Sequence, residues 1–267
     1  MSVIYKAGKV LPSPLADIGK QIYTNGNRLL GRNYFDYEYN DGELRLYYTE
    51  PTFVKMRDLI QDGVITIEDI PVDILEASEP IDATIDVGGH FGIYSVLLQV
   101  LNSDTELYTF EPSDENRIII KELLAENNIT GQVSEEVITD KTGTITFYID
   151  PQAKSQSHAT TPKEERDFQP VEMPSLALSD LVSRESLDRI YVKIDAEGEE
   201  MAVLQDLFTS NISYLEGIVE LHPDKLDVPK SDIVDLLSQE CNQYEFVTET
   251  TPDYKYDRPM YYFNYNH

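Results

Sequence analysis

The stretch "IDATIDVGGHFGIYSVLLQV", Ile81 to Val100, decides the fold. It starts with β-branched and apolar residues, breaks on two adjacent glycines, and resumes as an apolar run of helical length. Strand, glycine turn and helix in that order form the nucleotide-binding opening of an open α/β sheet. A dinucleotide turn would place a second glycine where the backbone approaches a pyrophosphate. His90 stands there instead, and its imidazole would fill that space. The spacing reads better as Asp-x-Gly-x-x-x-Gly, from Asp86 through Gly88 to Gly92. In that reading Asp86 holds a cationic ammonium, directly or through water. Gly88 lets a ligand come close to the backbone, and Gly92 starts the next helix tight against its strand. A cationic nucleoside bearing an amino acid fits such a turn, and S-adenosylmethionine is one.

Working outward, the pattern alternates. "ELYTFEP" is a strand ending at Glu111-Pro112, about 25 residues after Asp86, where a carboxylate can accept both hydroxyls of a ribose. Pro112 ends the ladder there, and Ser113 can cap the helix "SDENRIIIKELLAENN" with Glu115 or Asn116 near its third position. "GQVSEEVI" and "GTITFYI" read as strands joined by the turn "TDKTG". "RIYVKID" is a strand followed by a helix through "EEMAVLQDLF". "LEGIVELHP" is the next strand and "KSDIVDLLSQE" a helix. "YEFVTET" and "MYYFNYN" form a terminal antiparallel pair. Such alternation predicts an α/β fold: a mostly parallel, Rossmann-like sheet with helices on both faces and an antiparallel C-terminal strand. Ligands of such sheets lie beyond the carboxyl ends of the strands.

Residues 1–78 differ in texture and are expected to form an N-terminal cap on a main domain of residues 79–267. "YFDYEYNDGELRLYY", Tyr34 to Tyr48, has hairpin alternation around Asn40-Asp41-Gly42. "PTFVKMRDLIQDG" reads as a helix between Pro51 and Gly63. A polar stretch at residues 151–170 has no strand or helix period, and is read as a mobile lid-like insert, with a plain disordered insert as the alternative. His158 within it is expected to be solvated.

The chain of 267 residues can bury a full core, and 41% hydrophobic residues suit a soluble globular protein. No apolar run has the length of a membrane span or of a signal-peptide core, so a cytoplasmic location is expected. One cysteine, Cys241, excludes an internal disulfide and a cysteine-rich zinc site, and reads as a small apolar residue at a helix end. A net charge of −28 repels phosphates, which argues against nucleic acid or an acidic membrane as partner, and it is compatible with a salt-rich cytoplasm.

Four stretches together resemble the FkbM-type methyltransferases, over about Ile81 to Pro223: "DVGGHFGIYS", "FEPSDEN", "VITDKTGTITFY", and "VKIDAEGEEMAVLQ" with "VELHP". "SLALSDLV" departs from the family pattern, with Ser179 standing where an aspartate is usual. The resemblance implies a class I methyltransferase fold and S-adenosylmethionine-dependent O-methylation, often of sugar or polyketide-like hydroxyls. The cofactor site is expected to comprise Asp86, Gly88, Gly89, His90, Gly92, Glu111, Pro112, Ser113 and Glu136.

An alcohol nucleophile must lose its proton or have its oxygen activated by a metal. Asp195, Glu197, Glu220 and His222 end the two strands expected to flank the transferred methyl, and form the candidate catalytic set. His222 alone has an unperturbed pKa near neutrality, which favours it as general base, with Asp195 orienting it or binding the donor's amino group. The plainer readings are a helix-capping acid for Asp195 and a capping turn for "AEGEE". A divalent ion held by these oxygens and the imidazole is the less favoured alternative. The function expected is O-methylation of a small molecule or glycan. The competing class is a catalytically silent module that binds S-adenosylmethionine or a partner, and an NAD oxidoreductase is disfavoured by His90.

Overall fold

The computed structural model describes residues 72–149, 168–248 and 258–266, together with the backbone of four strands nearer the N-terminus. Of those four, β1 (Tyr34–Tyr39) and β2 (Gly42–Tyr47) form an antiparallel hairpin with Tyr39 opposite Gly42, as the alternation around Asn40-Asp41-Gly42 predicts. β3 (Ile60–Gln61) and β4 (Val64–Ile65) form a second antiparallel pair. The helix expected through Gly63 therefore gives way to a strand at Ile60, and its remainder lies outside the described residues.

After a 3-10 turn (Val72–Leu75) come β5 (Ala83–Val87), α1 (Ile93–Leu101), β6 (Glu106–Phe110), α2 (Asp114–Glu126) and β7 (Gln132–Ser134). β8 (Val137–Thr139), β9 (Gly143–Ile149) and β10 (Gln169–Ala177) follow, then α3 (Leu178–Glu185), β11 (Arg189–Ile194) and α4 (Glu200–Phe208). β12 (Tyr214–Glu220), α5 (Lys230–Glu240), β13 (Gln243–Thr248) and β14 (Met260–Asn266) complete the described elements. The main sheet has seven strands in the order β13-β14-β12-β11-β5-β6-β7. Its five strands from β12 to β7 run parallel, and β14 pairs antiparallel with β12 and with β13. The chain steps outward from β5 to β7 and then restarts beside β5 at β11. In open α/β sheets, ligands bind beyond the carboxyl ends of the strands at such a reversal, here β5 and β11.

Burial on both faces explains the strand sequences. β5 and β12 are buried throughout. Along β11, Ile190, Val192 and Ile194 pack with Leu181 of α3, Leu204 of α4 and Leu237 of α5. The alternate residue Tyr191 packs with Val96 and Leu97 of α1 and Leu123 of α2. Lys193 belongs by alternation to that second face, so one buried lysine sits where the apolar pattern calls for an aliphatic residue.

Two expectations for the middle of the chain are corrected. "GQVSEEVI" is not one strand: β7 joins the main sheet, whereas β8 joins a small sheet of order β8-β10-β9. Nor do β8 and β9 pair as a hairpin, because β10 lies between them, parallel to β8 and antiparallel to β9. The insert lies outside the described residues up to residue 167. Its last two residues, Gln169 and Pro170, already belong to β10 opposite Ile149 and Tyr148. Among the described residues no helix is long and apolar enough to cross a membrane.

The glycine turn is shaped as much by the protein's own backbone as by a ligand. Gly88 has φ +75°, and a Cβ there would lie 2.2 Å from the Asp195 carbonyl oxygen. Gly92, at φ +81°, precedes α1 and presses on Ile120 of α2. Gly88→Ala therefore combines a left-handed strain with a backbone clash that no rotamer relieves. It is expected to cost about 1–3 kcal/mol or more of folding stability, read by chemical denaturation. Wild-type stability in this variant would show that the turn does not touch β11 as described.

Candidate active site

The turn after β5 is laced to the end of β6. The N–H groups of Gly88 and Gly89 both donate to the Phe110 carbonyl at 3.0 Å. The His90 N–H donates to Glu111 Oε2 at 2.8 Å, and the Ser113 N–H to Glu111 Oε1 at 2.9 Å. Asn116 Nδ2 adds a third donor to Oε1 at 3.2 Å. These three donors leave acceptor capacity on Oε2. Burial raises the Glu111 pKa, against the lowering pull of the bonds from Ser113, His90 and Asn116. Ser113 caps α2 through a long 3.5 Å bond from the Asn116 N–H. Pro112 links β6 to that cap, and Glu136, half-buried in the link from β7 to β8, accepts from the Ser134 hydroxyl. His90 adopts φ +47° and stacks on Phe91 with ring centroids 3.7 Å apart. Its pKa is lowered to about 4, first by burial, with Asp195 raising and Lys193 lowering it. The ring is neutral at pH 7.

Asp86 is placed differently from the expectation of a carboxylate open to the ligand. It is wholly buried, with Oδ2 accepting from Ser95 Oγ at 2.5 Å and Oδ1 lying 3.7 Å from Lys193 Nζ. Lys193 stands opposite Asp86 in the β5/β11 register. Burial raises the Asp86 pKa, while Lys193 and Ser95 pull it down. Lys193 also bonds the Gly88 carbonyl at 3.0 Å and Asp195 Oδ2 at 3.2 Å. Burial alone would lower the lysine pKa, but Asp195 and Asp86 outweigh it and hold the ammonium charged.

The carboxyl ends of β11 and β12 bring the four candidate catalytic residues together. His222 Nε2 lies 3.3 Å from Glu197 Oε2, 3.4 Å from Asp195 Oδ1 and 3.8 Å from Glu220 Oε1. Its Nδ1 lies 2.6 Å from Glu200 Oε1. Glu200, which the sequence reading missed as a site residue, is fully buried, and its carboxylate takes the Gly198 N–H at 3.0 and 3.1 Å. Lys225 bonds Glu197 Oε2. Asp195 Oδ1 is buried and accepts no hydrogen bond. Burial raises the Asp195 pKa, but Lys193 and His222 outweigh it, and the net shift is downward. Glu197 is shifted up by burial, against His222 and Lys225.

The premise of a near-neutral His222 does not survive this setting. Burial pushes its pKa down, but Glu197, Glu200 and Asp195 push harder, and the ring is raised to about 10. The shift favours the imidazolium, stabilised by the acids around it. Outside the cluster, Ser179 bonds Asp206 of α4, so the departure from the family pattern falls on a helix contact. Cys241, just past α5, has its thiol raised to about 12 by burial and Glu240, which leaves it protonated at neutral pH. His158 lies outside the described residues.

A parallel sheet reversing at β5/β11, a glycine turn on its first strand and an acid–imidazole cluster on its fourth and fifth define an S-adenosylmethionine-dependent methyltransferase of class I. Residues 86–245 match the methyltransferase FkbM domain, and the chain belongs to that family. No curated protein sequence matches it significantly. Similar solved structures include a Pyrococcus abyssi tRNA (uracil-54, C5)-methyltransferase in complex with S-adenosyl-L-homocysteine, at 9% identity and TM-score 0.40. The alignment covers 88% of this chain and only 44% of that one. The ribosomal protein L11 methylase of Lactobacillus delbrueckii subsp. bulgaricus is similar at 13% identity and TM-score 0.42, over 77% of this chain and 81% of that one. M. jannaschii TYW2 in complex with AdoMet is similar at 7% identity and TM-score 0.39, over 88% and 87%.

The two histidines of the site are expected to titrate on opposite sides of the ordinary value of 6.5, His90 at about 4 and His222 at about 10. Ring NMR shifts of chelator-treated protein across pH would show both. For His222 the folded state holds the proton more tightly, so the stability it contributes is complete below pH 6.5 and is lost as pH rises through about 10. His90 acts in reverse, losing stability as pH falls from 6.5 towards 4. A His222 titration near 6.5 would remove the carboxylate field from around the ring.

Proposed function

We propose that the protein methylates a hydroxyl oxygen of a small molecule or glycan. The observation that supports this most is the convergence of Asp195, Glu197, Glu220 and His222 beside the glycine turn, where an acceptor oxygen can be oriented and lose its proton. Binding of the donor through Glu111 is supported by its carboxylate, which is held by the N–H groups of His90 and Ser113 and keeps acceptor capacity on Oε2 for a ribose hydroxyl. Asp86 and Lys193 act behind that surface, fixing the turn against β11 rather than touching the ligand.

S-adenosylmethionine supplies a methyl on a sulfonium: the acceptor oxygen forms the new C–O bond, the C–S pair stays on sulfur, and the hydroxyl proton leaves to a base. A carboxylate of the cluster can take that proton, since the neighbouring acids favour the charged form of the imidazole. Glu200 holds the His222 ring, and the ring in turn draws Asp195 and Glu197 together. The net charge of −28 disfavours a nucleic-acid acceptor, and an uncharged hydroxylated acceptor meets no such barrier.

Two measurements test the reading. Calorimetry with S-adenosylhomocysteine should give binding that Glu111→Gln weakens by about 1.5–3 kcal/mol, the loss of a hydrogen bond to a charged acceptor. Incubation with deuteromethyl donor and a panel of sugars and polyketide-like alcohols should yield deuteromethyl ethers by mass spectrometry. Label found only on nitrogen, on carbon or on RNA would overturn the hydroxyl acceptor. Tight cofactor binding with no turnover on any acceptor would favour a silent binding module instead.

A further inference from the structure

We propose that Asp195, Glu197 and His222 bind a divalent cation, through Asp195 Oδ1, the Glu197 carboxylate and His222 Nε2. Its purpose rests on the methyltransferase reading above; its existence does not.

The geometry is already close to that of a coordination sphere. One donor atom from each residue lies within 4.8 Å of the other two, with Nε2 at 3.4 Å from Asp195 Oδ1 and 3.3 Å from Glu197 Oε2. Donors on metal bonds of about 2.0–2.2 Å stand about 3.0–3.5 Å apart when adjacent. An ion can enter between these atoms with little movement of the chain. Lys225 also bonds Glu197 Oε2, so the ion shares that carboxylate with it, and Oε1 is the alternative donor.

Two further observations separate this cluster from an ordinary group of acids. His222 is 2% exposed, and Glu200 engages its Nδ1 at 2.6 Å, which turns Nε2 towards the carboxylates. A carboxylate holding the far nitrogen of a ligating imidazole is the usual support of a metal-bound histidine. Glu200 is itself immobilised at the start of α4 by the Gly198 N–H. The second observation is the orphaned oxygen. Asp195 Oδ2 is taken by Lys193, and Oδ1 is buried facing Nε2 without a hydrogen bond. Glu216, a buried carboxylate of this sheet, has both oxygens satisfied. Its Oε2 accepts from the Ser78 N–H and the Tyr214 hydroxyl, and its Oε1 from the Tyr262 hydroxyl. Asp86 Oδ1 is likewise buried without a hydrogen bond, but it lies 3.7 Å from the Lys193 ammonium, whereas Asp195 Oδ1 faces the His222 ring.

Two carboxylates and one imidazole suit an oxygen-preferring divalent ion of the Mn²⁺ class. Bound there, the ion takes the place of the Nε2 proton, which goes to solvent. It offers a coordination position to the acceptor oxygen, whose proton becomes easier to remove. Glu220, 3.8 Å from Nε2 and outside the three ligands, stands where that proton can go.

The test is a Mn²⁺ titration of the full chain followed by the EPR signal of the free ion, at an ionic strength of about 0.15 M to screen the acidic surface. Wild type should take up one ion tightly. Asp195→Asn, Glu197→Gln and His222→Gln should each weaken it tenfold or more, and Glu200→Gln by about tenfold. Glu126→Gln, on the exposed side of α2, should leave it unchanged. Circular dichroism identifies any variant that fails to fold, and the shape-conserving Asp195→Asn and Glu197→Gln then decide. Equal uptake by wild type and these two variants overturns the site. Methyl transfer to a hydroxyl that persists in chelator, with only weak Mn²⁺ uptake, overturns the site and leaves the function standing. Tight uptake at these residues with no transfer to any hydroxyl overturns the function and leaves the site.

Discussion

The ammonium of Lys193 is the contact on which the rest of the site depends. It reaches from the buried face of β11 to the carbonyls of Val87 and Gly88 at 3.3 and 3.0 Å, and to Asp195 Oδ2 at 3.2 Å. Asp86 Oδ1 lies 3.7 Å away, and the Tyr94 ring covers it at 5.0 Å. One cation thereby ties the end of β5, the glycine turn and the end of β11 at the point where the sheet reverses. Desolvating such a group is offset only by several partners at once, and a buried ion cluster is weak evidence for net stability. Its effect is on geometry. Without Lys193, the buried Asp86 carboxylate and the partly exposed Asp195 carboxylate would face each other uncompensated, and the turn would lose its anchor to β11. Gly88 completes the same joint from the other side, since only a residue without Cβ lets the turn rest on the Asp195 carbonyl.

The alternation of strands and helices was legible because a parallel sheet covered on both faces demands near-continuous apolar strands. "ATIDV" and "LEGIVE" meet that demand plainly. The acids at the strand ends stood out because they interrupt it. What escaped was the set of charges inside the packing. Lys193 breaks the apolar run of "RIYVKID", a signal that a charge is buried there. Glu200 precedes the buried Val203, Leu204 and Leu207 by three, four and seven residues, which puts it on the inner face of α4. Both could have been flagged. Their partners could not, because Lys193 meets Asp86 and His222 meets Glu200 only through strand register and helix placement. The upward shift of the His222 pKa was not legible for the same reason, since it is set by carboxylates brought in from another strand and from a helix. The β8-β10-β9 order was illegible for a simpler cause. Neighbouring strands usually pair, and here the insert lets a later strand come between them.

Backbone conformation carries part of the cluster's order. Glu197 adopts φ +51° and Gly198 φ +113°, so a non-glycine residue is held left-handed directly before a glycine. Such a residue costs free energy that surrounding contacts must over-determine. Here the contacts are Lys225 on the Glu197 carboxylate and Glu200 on the Gly198 N–H. The turn directs Glu197 back towards His222 instead of outward along α4, where an acid would serve only as a helix-terminal charge. The capping reading of "AEGEE" thus describes its position but not its conformation.

The local charge of the cluster constrains its chemistry more than the −28 of the whole chain does. Surface charges are screened beyond about 8–10 Å at physiological ionic strength, whereas buried groups are screened far less. A sulfonium donor is cationic, and its charge disappears as the methyl moves. Carboxylates that favoured the cation alone would stabilise the ground state and slow the transfer, since only stabilisation that grows towards the transition state accelerates it. Four carboxylates surround the His222 ring, and they would act in that unproductive way if left uncompensated. Lys193 and Lys225 neutralise part of the set, and a proton or a cation at His222 Nε2 neutralises more. The two occupants of Nε2 are not equivalent. A proton fills the lone pair and ends the histidine's capacity to act, whereas a divalent ion balances more charge and leaves coordination positions open to an acceptor oxygen. On the proposed reading, the same acids that would hold the donor back would instead hold an ion beside the acceptor oxygen.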